Sequence, residues 1–174
     1  MTASTPNLGR VLVAYSSKMG STAEIAEAIG DELRKSGAEV DVSDARTAFP
    51  PLEYDAVVLG SGVYAGRWLK PARRYLKQNR RQLAGRPTWL FQSGPIGRGD
   101  QTARTEASGK VLRIANELGI EPPVVFGGNL DPARAKGRIA KWVANSDAAG
   151  DYRDWGQIRD WAASIVQRLA AAPR

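Results

Sequence analysis

The run Ser16-Ser17-Lys18-Met19-Gly20-Ser21-Thr22 puts four hydroxyls, one ammonium and one glycine into a single short stretch. That composition is suited to binding an anion. The hydroxyls donate hydrogen bonds, and glycine lets the backbone come close to a ligand. A helix starting at the end of the stretch adds free N–H groups and the positive end of its dipole. A nest of this kind seats a terminal phosphate dianion. Serine and threonine also cap helices that bind nothing, so the run by itself carries both readings.

Two further stretches have the chemistry of a flat, apolar slot. Ser61-Gly62-Val63-Tyr64-Ala65-Gly66, followed by Arg67-Trp68, sets two aromatic rings beside glycine-rich backbone. Gln92-Ser93-Gly94-Pro95-Ile96-Gly97 offers backbone amides and a rigid apolar tip. A tricyclic ring needs apolar or aromatic faces and a polar edge for its heteroatoms. Backbone groups serve that edge, so no catalytic side chain is assigned and the chemistry is expected on the bound group. The alternative for Tyr64 and Trp68 is packing on the helix that follows.

The residues that are missing narrow the choice. The 174-residue chain has no cysteine and no histidine. Thiol nucleophiles, disulfides, iron–sulfur clusters and thiolate zinc sites are excluded, as are histidine triads and imidazole metal ligands. No metal site is expected, and any redox chemistry must be carried by a bound organic cofactor. Gly60-Ser61-Gly62-Val63-Tyr64-Ala65-Gly66 is one residue too long for a dinucleotide fingerprint, and no Walker-type Gly-x-x-x-x-Gly-Lys-Ser/Thr occurs. The first strand ends in Tyr15-Ser16 without an aspartate, which disfavours a phospho-acceptor domain.

Hydrophobic periodicity supplies the elements that position these stretches. Residues 1–8 read as a flexible tail and 9–174 as a single domain. Strands are expected at Arg10–Tyr15, Ala38–Val42, Tyr54–Gly60, Thr88–Gln92 and Val124–Gly128. Helices are expected at Ser21–Ser36, Trp68–Leu83, Thr105–Leu118 and Trp155–Ala170, with loops at Ser61–Arg67 and Ser93–Gln101. Alternating strands and helices imply an α/β fold with helices on both faces of a parallel sheet. Five strands close in the order 2-1-3-4-5, and the three candidate loops then gather at the switch point beyond the strand ends.

With all three loops considered, the chain from Arg10 to Ala170 resembles the flavodoxin-like flavin mononucleotide (FMN) proteins, a three-layer sandwich. Ser16, Gly20 and Thr22 match that family's Ser/Thr-x-x-x-Gly-x-Thr pattern. The resemblance implies FMN as cofactor. Ser16, Ser17, Lys18, Gly20, Ser21 and Thr22, with Met19 among them, would surround its phosphate, and the other two loops would flank the isoalloxazine. Toward the C-terminus, Gly127-Gly128-Asn129-Leu130, a helix-like basic stretch Ala133–Asn145 and Asp154-Trp155 look like the menaquinone-dependent protoporphyrinogen oxidase branch of that fold. Asp154 is expected to cap the last helix.

The formal charge is +7. No acidic residue lies between Ala56 and Gly99, while Lys70, Arg73, Arg74, Lys77, Arg80 and Arg81 lie off the Leu69–Ala72–Leu76–Leu83 stripe of helix 68–83. A solvated helix face is the plain reading. The sharper one is an anionic partner, either a membrane surface, an acidic redox protein or a carboxylated substrate; nucleic acid is not expected. The functional expectation is an FMN-dependent oxidoreductase working between a flat substrate, such as a tetrapyrrole, and a quinone. The alternative is a flavodoxin-type electron carrier without its own substrate. No stretch reads as a signal sequence or a membrane span. The expected location is therefore cytoplasmic, with peripheral contact at the inner membrane face left open.

Overall fold

The computed structural model describes residues 7–94, 108–138 and 149–172. In chain order the elements are β1 (Arg10–Ser16), α1 (Ser21–Lys35), β2 (Glu39–Asp44), β3 (Ala56–Tyr64), β4 (Arg67–Trp68), α2 (Lys70–Gln78), α3 (Arg80–Leu83), β5 (Thr88–Gly94), α4 (Gly109–Glu117), β6 (Val124–Gly127), β7 (Asn129–Leu130), β8 (Gly150–Asp151) and α5 (Trp155–Ala171). A short 3-10 turn, Pro51–Glu53, leads into β3. The main sheet runs β2-β1-β3-β5-β6, all parallel. Leaving out β4, which only folds back on β3, this is the expected 2-1-3-4-5 order.

Strand β1 shows why the sheet is central. Val11, Leu12, Val13 and Ala14 are all fully buried. Successive side chains point to opposite faces. Val11 and Val13 pack with Ile25, Ile29 and Leu33 of α1 and Ile158 and Ile165 of α5. Leu12 and Ala14 pack with Ala72 and Leu76 of α2 and Val111 and Ala115 of α4. A strand covered on both faces has to be apolar along its length, as parallel strands are. Helix α1 buries its Ile25–Ala26–Ile29–Leu33 stripe and ends where Gly37 turns left-handed at φ 96°. The Ala38 N–H then donates to the Leu33 carbonyl at 3.2 Å, the closing bond of a Schellman cap.

Register fixes where the functional loops emerge. Ser16 pairs with Ser61, Ser61 with Gln92, Gly62 with Ser93, and Gly94 with Gly127. The C-terminal ends of four strands therefore share one edge of the sheet.

Several boundaries differ from the sequence expectation. The Ser61–Arg67 stretch is a strand continuation and a hairpin, with Tyr64 opposite Arg67. Ala65 and Gly66 both have positive φ, 49° and 69°, the two-residue turn that suits the twist of paired strands. The usual Asn-Gly signal is absent, which is why the pattern read as a loop. Helix 68–83 starts later, at Lys70, because Trp68 belongs to β4, and it breaks at Asn79 into α2 and α3. Strand β5 runs on through Ser93 and Gly94, expected in a loop. Leu8, assigned to the tail, is buried in the core. In the stretch expected to be helix-like, residues 133–134 belong to a turn, 137–138 are helical, and 139–145 lie outside the described residues. Pro95, Ile96, Gly97 and Arg98 also lie outside them.

Phe91, Phe126 and Trp161 form an aromatic triad under the last helix, with centroids 5.5 to 6.0 Å apart. Phe91 is fully buried and lies against Gly60, where a Cβ would fall 2.0 Å from its ring. Gly60→Ala is expected to cost about 1–3 kcal/mol, since a packed ring cannot yield that far. Gly85→Ala, with nothing within 4 Å, is expected to stay within about 0.5 kcal/mol of wild type. Urea unfolding midpoints of the two variants check this.

Candidate functional site

Helix α1 begins without a cap. Gly20 occupies the N-cap position at φ 89°, and among the described residues no side chain caps the first-turn amides. Four N–H groups at a helix start need partners outside the helix; here the Glu24 amide closes on the Gly20 carbonyl at 3.0 Å, leaving the amides ahead of it facing outward. The turn before the helix is held by its own groups, with the Gly20 N–H donating to Ser17 Oγ at 2.9 Å. Below it, the Ser16 hydroxyl is buried and, among the described residues, has no hydrogen-bond partner. A buried hydroxyl left unpaired carries an energetic penalty. An orphan hydroxyl, uncapped amides and a left-handed glycine are together the donor set of a phosphate dianion, so the residues present fit that group.

Beside this turn is a cleft of about 340 Å³. Ser17, Lys18, Met19, Ser21 and Thr22 form one wall, and Gly62, Val63, Tyr64 and Ala65 another. Ser93 and Gly94 close it with Gly128, Asn129 and Leu130. Thr22 Oγ1 and Ser93 Oγ share a buried hydrogen bond of 2.7 Å, tying the first loop to the third. Lys18 Nζ sits 4.8 Å from the centre of the Tyr64 ring, a cation–π contact that draws the aromatic side of the slot toward the phosphate side. Burial pushes the Tyr64 phenol above its ordinary pKa, so it stays protonated at neutral pH.

The sequence candidates divide on this geometry. Most of the first loop, Gly62 to Ala65, Ser93 and Gly94 line the cleft. Ser61 does not; its hydroxyl donates to the Gly62 carbonyl at 2.8 Å and accepts from the Leu69 N–H at 2.9 Å, pinning the hairpin to α2. Gln92 is buried and accepts from Trp68 Nε1 at 3.0 Å. Trp68, considered for the ring face, is thus a core residue, 1% exposed. Gly66 sits at the hairpin tip with nothing within 4 Å of where a Cβ would be. Sequence reasoning missed Gly128, Asn129 and Leu130 as lining residues. Their signal was the paired Gly127-Gly128 at the end of a parallel strand: the Gly128 N–H donates to the Gly94 carbonyl at 2.8 Å, and the Asn129 N–H to Ser21 Oγ at 2.9 Å.

An ion-pair cluster flanks the first turn of α1. Arg134 donates to Glu24 Oε1 at 2.6 Å, and Arg153 holds the other oxygen. Arg153 is also paired with Asp151 at 2.6 Å and stacked over Trp155 at 4.7 Å. Asp154 caps α5 as expected, accepting from the Gln157 N–H at 3.0 Å.

Hydrogen bonds from Arg134, and then from Arg153, hold the Glu24 carboxyl below its ordinary pKa of 4.5. A lowered folded-state pKa adds stability above the unfolded value, and that stability is lost as pH falls through the folded one. The stability gap between wild type and Glu24→Gln is therefore expected to persist from pH 7 down to the ordinary carboxylate range. It is expected to close below it. Thermal melts of both proteins across that range measure the gap.

Comparison with known proteins agrees with this architecture. The sequence profile of the flavodoxin domain family matches residues 12–135. The protoporphyrinogen IX dehydrogenase [quinone] of Escherichia coli K12 is 22% identical over 171 residues, spanning 90% of this chain and 94% of that protein. A flavodoxin from the domain Archaea superposes with a TM-score of 0.63 at 18% identity, covering 92% of this chain and 98% of that one. Flavodoxin 1 of Bacillus cereus gives a TM-score of 0.58 at 14% identity, over 91% and 97%. A profile match across most of the fold, on a cleft whose uncapped helix start suits a phosphate, leads to one conclusion: the chain belongs to the flavodoxin domain family, with FMN as its cofactor.

Proposed function

We propose that this protein is an FMN-dependent oxidoreductase that passes electrons between a flat organic substrate and a quinone-type partner. The observation that carries the reading is the make-up of the slot. Its walls are backbone, hydroxyls and apolar side chains, and Lys18 and Tyr64 are the ionisable groups among its described lining residues. Bound flavin supplies hydride and electron transfer. The chain holds the phosphate at α1, sets Tyr64 beside the ring site and shields that site from water with Met19, Val63 and Leu130. The quinone-dependent relative, alike over nearly the full length of both proteins, supports a tetrapyrrole or quinone as substrate or acceptor.

Surface charge supports the same reading. Lys70, Arg73, Arg74 and Lys77 of α2 and Lys110 and Arg113 of α4 line one groove. Its acidic residue, Glu117, is already paired with Arg80 at 3.5 Å. This cationic face suits a carboxylated substrate, an acidic redox protein or an anionic membrane surface. Among the described residues no helix is long and apolar enough to cross a membrane. The second reading is an electron carrier without its own substrate, favoured by the flavodoxin structural relatives.

Two experiments test the proposal. An anaerobic screen of the flavin-loaded protein against protoporphyrinogen, quinols and reduced nicotinamides is expected to show repeated turnover with a quinone acceptor, one quinol forming for each electron pair removed from the substrate. Reduction by protein partners alone, with no turnover of any small molecule, would establish the carrier reading. Gly62→Val narrows the slot, because even a Cβ there lies 3.0 Å from Tyr64 and 3.2 Å from Thr22 Oγ1. Its FMN Kd, from flavin fluorescence quenching, is expected to rise about tenfold or more, the equivalent of about 1.4 kcal/mol.

A further inference from the structure

We propose that Arg134, supplied by the chain that follows β7, sets the preference for a phosphorylated flavin by neutralising Glu24 beside the phosphate turn. The proposal rests on the FMN reading and goes beyond it, since Arg134 lies outside all three loops that form the slot.

The physical problem is Glu24. It stands in the first turn of α1, where a carboxylate is favoured by the helix dipole. A phosphate dianion needs the same end of the same helix, and like charges there repel. Arg134 answers that repulsion from two sides. Its Nη1 lies 2.6 Å from Glu24 Oε1 and 3.5 Å from the point where a Gly20 side chain would begin. The guanidinium therefore stands over the open side of Gly20 while it pairs with the carboxylate.

Among the described residues, the neighbouring cations are at least partly engaged by other groups. Arg153 shares itself between Glu24 and Asp151 and lies over Trp155, its side chain only 7% exposed. Lys18 points to the ring side, over Tyr64. The cluster holds three carboxylates, Glu24, Asp131 and Asp151, against two guanidiniums, Arg134 and Arg153. With both guanidiniums the cluster carries one net negative charge, and without Arg134 it carries two beside the dianion. The Arg134 side chain is 48% exposed, and its other partner, Asp131, is 3.7 Å away. Its removal alters charge at the turn while leaving the core untouched.

The test is a titration of FMN and of riboflavin into flavin-stripped protein, at low and high salt. It compares wild type, Arg134→Met, Arg134→Lys, Glu24→Gln and the double variant Glu24→Gln/Arg134→Met. Riboflavin lacks the phosphate and reports the ring site alone. Wild type is expected to prefer FMN. Arg134→Met is expected to lose about tenfold in FMN affinity with riboflavin binding unchanged, and the loss shrinks at high salt. Arg134→Lys retains most of the preference. Glu24→Gln binds FMN at least as tightly as wild type, and the double variant recovers most of what Arg134→Met loses. An unchanged FMN-to-riboflavin ratio in Arg134→Met overturns the proposal, as does an equal loss for both flavins. Wild type with no preference for FMN overturns the FMN reading itself, and the proposal with it. Should Arg134→Met not fold, Glu24→Gln decides by itself: weaker FMN binding in that variant overturns the proposal.

Discussion

An α-helix that starts with no capping side chain is a set of unsatisfied donors, and the rest of this molecule is organised around one. The start of α1 lies just beyond the end of β1, after a glycine in the left-handed region. Its amides supply fixed positive potential at that edge of the sheet. Filling the N-cap with an Asp or Ser side chain would satisfy them internally and block the site. Among the described residues the chain instead leaves them open, with the Ser16 hydroxyl buried and unpartnered beneath. That is a local loss of stability, held in place by the surrounding structure, of the kind that marks binding sites.

The surrounding structure is the parallel sheet. Apolar strands buried on both faces lock the register, so Ser16, Ser61, Gln92 and Val125 lie level across four strands. Three loops otherwise far apart in sequence meet there. Hydrogen bonds then fix them to one another: Thr22 to Ser93, Gly128 to Gly94 and Asn129 to Ser21. The result is a slot lined by backbone, hydroxyls and apolar side chains. Its make-up suits a planar ring and offers little acid–base chemistry of its own, which is the division of labour expected when a cofactor does the reaction.

Much of this was legible in the sequence because the relevant signals are local. Strand β1 and helix α1 announce themselves by apolar runs and by three- and four-residue spacing, and the phosphate turn by its hydroxyls and Gly20. What was not legible depends on partners distant in sequence. Trp68 has the same helical phase with or without β4. Only the pairing of Val63 with Trp68 and the bond to Gln92 take it into the core. The hairpin at Ala65-Gly66 was hidden because alanine rarely adopts positive φ. Ser61 and Gln92 read as ligand-binding hydroxyl and amide, yet each is engaged by a buried internal donor. Arg134 read as one more surface cation, and its contact with Glu24 spans 110 positions of sequence.

The central claim is that a phosphate dianion sits on the open amides of α1. Phosphorus NMR of the flavin-loaded protein observes that group directly. A phosphate monoester free in water takes up its second proton near pH 6. Held by helix amides and the Ser16 hydroxyl, it remains a dianion, and its resonance is predicted to stay at the dianion position from pH 8 down to pH 5. A bound resonance that titrates near pH 6, as free FMN does, would contradict the account.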